Sequence, residues 1–394
     1  MLKYRLHGGI LISEDGYDNK DILISDGKIE AVTASDVAVS EDYVSVDCTG
    51  NYISAGFVDI HQHGGGGNDY MDDDADAYFN IISAHMAHGT TSVMPTFLSA
   101  DKKSILTAIK RYQNAKNDPR ISPSLLGIHI EGPYISASQA GAQKPEHIRK
   151  FDESEYTEIY AASNGDIKRW SVAPEIEGAE KFAEFARENG IALSIAHSNA
   201  DFDSVISAYE LGFRHITHLY SCMSTIIRRG GFRVPGVLEA AYYIDGMNVE
   251  IIADGCHIPA ALLSYVTKFK NCDRIALISD SMRAAGQNVT KSYLGSMNDP
   301  LPVIIEDGVA KLEDRSAFAG SIATADRLIR NMVNVGVPLY SAVKMMTVNP
   351  IRMMGLDIKK GALLEGYDAD ICVFDKDINI KKVFCKGKLT VENN

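Results

Sequence analysis

Five short apolar runs in this chain end on residues able to hold a metal. His61 and His63 close GFVDIHQH, Glu131 closes SLLGIHIE, His197 closes IALSIAH, His218 closes RHITH and Asp280 closes RIALISD. Such runs read as buried strands. A parallel β/α barrel carries its site at the C-terminal ends of its strands. Six metal-compatible residues at that position constrain the architecture more than any single motif does.

The spacing predicts eight strands, near residues 56–62, 90–96, 124–131, 168–173, 191–197, 215–219, 248–253 and 274–280. Helical patterns alternate with them, such as AYFNIISAHMAHG and AEKFAEFARENG, the latter stopping at Gly190. Eight β/α units imply a closed (β/α)8 TIM-type barrel, expected over 54–349. Both chain ends read as short strands with Asp-Gly turns, and neither has enough apolar surface for a core of its own. They are expected to pair into one small β-sandwich from 1–53 and 350–394. Ser224 to Gly236 reads as a long glycine- and arginine-rich loop on the site face.

A net charge of −13 argues against a nucleic-acid or membrane-surface role, though not against an anionic small molecule. The six cysteines are scattered without a C-x-x-C pair, as expected for reduced thiols in a cytoplasmic protein. No apolar run is long enough for a membrane span.

Residues two apart on a strand share a face, so His61 and His63 can reach one ion, and the glycines at 64–67 allow a sharp turn after them. The Glu131 carboxylate is costly at a strand end unless it meets a metal or an arginine, and with metal it can bridge two ions. His129 reads as structural, and His215 as lying at the buried start of its strand. His197 and His218 are imidazole ligands at strand ends on the same face, although a lone histidine can also be a satisfied core residue. Asp280 can be a ligand, a general base or both, or a helix cap. His257 lies beyond its strand end and suits a substrate contact. Arg228, Arg229 and Arg233 suit anion clamps, or a solvated basic loop.

These segments resemble the amidohydrolase superfamily, and within it the N-acetylglucosamine-6-phosphate deacetylase family. The likeness runs through AGFVDIHQHG, HIEGPY, AGAQKPEH, APE, AHSNA, THLY, IADGCH, ISDSMRAAG, FAGSIAT, TVNP and GYDADICVFD. It implies zinc or iron, one or two ions per subunit, on Glu131, His197 and His218, with His61 and His63 available to a second. It also implies Asp280 as general base and acid, His257 at the sugar or its phosphate, and a homodimer in which a partner arginine reaches the phosphate. The family arginine corresponds to Arg233, and Arg229 shares its loop. Three positions depart from the family: Ser221 and Cys222 replace Asn-Ala, the arginine loop is longer, and Gln143 replaces a histidine. All are expected in the substrate pocket. The implied reaction is removal of acetate from N-acetylglucosamine 6-phosphate in amino-sugar catabolism. The galactosamine epimer and other N-acyl compounds are the alternatives.

Overall fold

In a computed structural model, which describes residues 2–393, the chain forms an eight-stranded parallel barrel beside a four-stranded and a six-stranded sheet. The barrel strands are Phe57–Gln62, Thr90–Phe97, Ile128–Glu131, Ile167–Val172, Ala192–Ile195, Phe213–Ile216, Asn248–Ile251 and Ile275–Leu277, hydrogen-bonded in chain order. Each is buried along nearly its whole length, as a parallel strand covered on both faces must be. The first and eighth strands are joined by backbone hydrogen bonds at the C-terminal mouth. There Asp280 N donates to the His61 carbonyl and His63 N to the Ser281 carbonyl, both at 2.9 Å. Closure of the barrel and assembly of the site are therefore the same contacts.

Aspartates cap several of the covering helices. Asp101, Asp152 and Asp201 accept from first-turn amides of Lys102–Ala115, Glu153–Ala162 and Phe202–Leu211. Helix Ala179–Glu188 ends before Gly190, whose φ of +65° suits a residue without Cβ. Its Phe182 is fully buried against Tyr134, Phe151, Tyr156 and Trp170.

The two ends of the chain share sheets. Tyr52–Ala55 pairs antiparallel with Ile371–Phe374 inside a six-stranded sheet. A four-stranded sheet from residues 3–47 packs against it across Leu6, Ile22, Ile24, Ile53, Ile371 and Phe384. All six cysteines are free, and no helix among the described residues is long and apolar enough to cross a membrane.

Two elements differ from the sequence reading. The expected loop at 224–236 contains a two-stranded hairpin, Ile227–Arg229 with Phe232–Val234. Gly230 and Gly231, both at positive φ, form the two-residue turn that matches strand twist. After the eighth strand, 291–312 folds into a three-stranded sheet that carries Leu294 over the barrel mouth.

Candidate metal centre and active site

Six buried side chains converge at the barrel mouth in two groups, His61–His63–Asp280 and Glu131–His197–His218. Within each group the donor atoms lie within 4.8 Å of one another. Glu131 touches both. Its Oε1 is 3.0 Å from His218 Nε2, 3.2 Å from His197 Nε2 and 3.6 Å from His61 Nε2, while Oε2 is 3.4 Å from His63 Nε2. Asp280 Oδ1 sits 3.1 Å from His63 Nε2 and 3.4 Å from His61 Nε2.

The outer nitrogens show why these rings face inward. His63 Nδ1 donates to the Thr96 carbonyl (3.2 Å) and His197 Nδ1 to the Gln139 carbonyl (2.8 Å). Each leaves a bare Nε2 aimed at the centre, the arrangement of a metal ligand held by an outer partner. His197 Nε2 and His218 Nε2 face each other at 3.3 Å, an unfavourable meeting of lone pairs unless a cation or proton lies nearby. Burial disfavours charge on His61, yet Glu131 and Asp280 carry its pKa up to about 10, so the carboxylates draw positive charge into this site. Burial pushes Glu131 upward, but His61, His197 and His218 outweigh it and hold the carboxyl well below its ordinary range. Asp280 is likewise held low against burial by His61 and His63. A nitrogen and carboxylate donor set with this charge balance fits one or two divalent cations.

Local backbone geometry completes the placement. His197, His218 and Asp280 lie two or three residues past their strands, at φ of +46°, +32° and +47°. Left-handed backbone is strained for side chains of this size, costing about 1–3 kcal/mol each. The turn brings each side chain back across the mouth.

A cavity of about 290 Å³ opens on the centre, lined by Leu98, Gln143, Tyr220, Ser221, Cys222, His257, Leu294 and Phe318 besides the metal-binding candidates. His257 Nδ1 is engaged by Asp254 (2.8 Å), leaving Nε2 for a ligand, and its ring packs on Phe318 at 4.8 Å. Gln143 reaches deeper than a substrate contact alone requires. Its Nε2 donates to Glu131 Oε2 and its Oε1 accepts from Ser99 N, both at 2.9 Å. A second cavity of about 440 Å³ adjoins and shares Leu98, Ala142, Gln143 and Leu294 with the first.

Not every residue singled out in the sequence reaches this cavity. Arg229 and Arg233 stand exposed on the hairpin and are absent from its lining. His129 spends both ring nitrogens inside the barrel, on Thr96 Oγ1 (3.1 Å) and Ser171 Oγ (2.6 Å). His215 Nδ1 is engaged by Asn248 Nδ2 of the neighbouring strand at 3.3 Å. The sequence reading missed Asp254, three residues before His257, and the buried Arg169 and Glu250. Charged residues inside IKRWSV and NVEI were the available signal for that pair.

The amidohydrolase family model matches residues 52–390. N-acetylglucosamine-6-phosphate deacetylase of Lysinibacillus sphaericus is 31% identical, over 98% of this chain and 97% of that protein. N-acetylgalactosamine-6-phosphate deacetylase of Escherichia coli O157:H7 is 29% identical over 96% and 97%. The solved structure of an aspartate-to-alanine variant of the Mycobacterium smegmatis N-acetyl-D-glucosamine-6-phosphate deacetylase, in complex with N-acetyl-D-glucosamine-6-phosphate, superimposes with a TM-score of 0.89 at 28% identity, covering 99% of both chains. The chain therefore belongs to the amidohydrolase family, in its N-acetylglucosamine-6-phosphate deacetylase branch.

Proposed function

We propose that this protein is a metal-dependent deacetylase that cleaves N-acetylglucosamine 6-phosphate to glucosamine 6-phosphate and acetate, as a step in amino-sugar catabolism. The observation that carries the reading is the pair of buried donor groups sharing Glu131 at the barrel mouth, with Asp280 beside them. Glu131, His197 and His218 would hold one divalent ion, zinc or iron, and His61 and His63 a second with Asp280. Such ions act as Lewis acids on a carbonyl and acidify water at neutral pH. Asp280, ionised at neutral pH, accepts the proton of the attacking water and returns it to the leaving nitrogen. Leu98, Leu294 and Phe318 would form the apolar wall of the cavity beside the amide.

His257, Ser221 and Cys222 line the remainder of the cavity and would contact the sugar and its phosphate. Among the described residues lining that cavity none is lysine or arginine. A phosphate dianion therefore draws on a cation from elsewhere. The hairpin offers Arg228, Arg229 and Arg233, flanked by exposed Ile226, Ile227 and Phe232. In a homodimer this arm would deliver Arg233 or Arg229 to the partner's site. A cytoplasmic location belongs to the same reading, which the six free thiols support.

The galactosamine epimer is the second reading, because relatives named for either sugar match this chain about equally, at 31% and 29% identity. Ser221, Cys222 and Gln143, where this chain departs from the family pattern, line the cavity that must choose between them. The test of the chemistry is Asp280→Asn. Turnover is expected to fall about 10²–10⁴-fold, the usual contribution of a general acid–base, with the ion of the Glu131–His197–His218 group retained by mass spectrometry. Near-normal turnover in that variant would remove Asp280 from the reaction.

A further inference from the structure

Glu250 and Arg169 form a fully buried ion pair inside the barrel, beneath the metal centre. Buried pairs of this kind add little stability over apolar residues of equal size, so their presence calls for another explanation. Arg169 is held by more than its partner: one guanidinium nitrogen donates to Ser194 Oγ (3.1 Å) and Thr217 Oγ1 (2.9 Å). That fixes the Glu250 carboxylate with Oε1 on Arg169. The other oxygen, Oε2, faces His61 Nδ1 at 3.5 Å. Neither of those two atoms has a hydrogen-bond partner elsewhere, and both are inaccessible to water.

His63 and His197 turn their Nδ1 atoms outward onto backbone carbonyls. His61 has no carbonyl in that position, and Glu250 occupies it. We infer that Glu250, anchored by Arg169, is a positioning residue for His61, taking its Nδ1–H and so aiming Nε2 at the ion shared with His63 and Asp280. The inference rests on the two-ion reading above and adds what orients the second group. An outer carboxylate of this kind fixes the ring and raises its basicity as a ligand. It touches no donor of the Glu131–His197–His218 group except through His61, so its effect is expected on one group only.

The test titrates metal-free full-length protein with Zn²⁺ against a competing chelator and repeats the titration with Co²⁺, reading its visible absorption. Glu250→Ala is compared with the parent. The double variant Arg169→Met, Glu250→Leu removes the carboxylate without leaving a buried charge, and guards against a fold defect. Both variants are expected to keep the tighter ion within about 3-fold and to bind the second about 10–100-fold more weakly, the usual effect of losing an outer partner. The Co²⁺ spectrum should lose the contribution of the second equivalent alone. Parent-like affinity for the second ion would overturn the proposal, and so would equal weakening of both ions, which marks a merely structural pair. A parent that takes up only one ion contradicts the two-ion reading itself, a result visible before any variant is compared.

Discussion

Arg283 ties together three segments around the active-site cavity, and cutting that tie has a calculable cost. Its guanidinium donates to both carboxylate oxygens of buried Asp72 at 2.7 Å, and to the carbonyls of Gly67 (2.9 Å) and Gly295 (2.8 Å). Asp72 also accepts from Met297 N at 3.1 Å. The loops after the first and eighth strands are thus fastened to the 291–312 sheet. Arg283→Met leaves Asp72 buried and unpaired, a loss of about 3–5 kcal/mol. Unfolding entropy near 2.1 cal/mol/K per residue, over 394 residues, gives about 0.8 kcal/mol per kelvin. The melting temperature should therefore fall by about 4–6 °C, read by calorimetry on metal-replete protein.

Asp72→Asn with Arg283→Met should cost less than the two single changes summed, by about 2–3 kcal/mol, because the pair acts as one unit. Acid removes the same contribution. Burial raises the Asp72 pKa, but Arg283 outweighs it and leaves the carboxyl below its ordinary value. A folded pKa below the unfolded value of about 3.9 stabilises the fold above that pH, and the stabilisation is lost as pH falls through the folded value. The gap between parent and variant should hold steady near neutrality and close below about pH 4. Single-variant shifts under 1 °C, or costs that simply add, would refute the argument.

Two other changes probe independent parts of the structure. Phe182→Ala empties the centre of an aromatic cluster and should cost about 3–5 kcal/mol in denaturant unfolding, with ion content and KM unchanged. Arg229→Ala with Arg233→Ala should raise KM for the phosphorylated sugar about 10–100-fold, from the loss of charge-assisted hydrogen bonds worth about 1.5–3 kcal/mol. Mixing that variant with Asp280→Asn should restore part of the activity if the arginines act across a dimer.

The barrel was legible because its signal is repeated: eight buried runs near the residues where the strands lie, six side chains of matching chemistry at their ends. What the sequence could not show was geometry beyond the strand. His197, His218 and Asp280 look like strand residues in the sequence, yet they stand on left-handed turns two or three residues past their strands. Apolar patterning carries no record of that turn. The role of Gln143 was hidden for a different reason. Its contact with Glu131 joins a loop to a strand end, and nothing local to AGAQKPEH announces it. The hairpin at 227–234 was concealed by composition, since Arg-Arg-Gly-Gly reads as loop although the two glycines are what allow the tight turn. Glu250 and Arg169 could have been noticed as charges within apolar strands, but their pairing across the barrel depends on closure.

The most direct test of the account is acetate release by metal-replete protein from N-acetylglucosamine 6-phosphate, its galactosamine epimer and unphosphorylated N-acetylglucosamine. Fast turnover of the phosphorylated glucosamine derivative, slow or absent turnover of the free sugar, and loss of activity on chelation are the expected results. Equal rates with and without phosphate, or no acetate from any of the three, would contradict the proposed reaction.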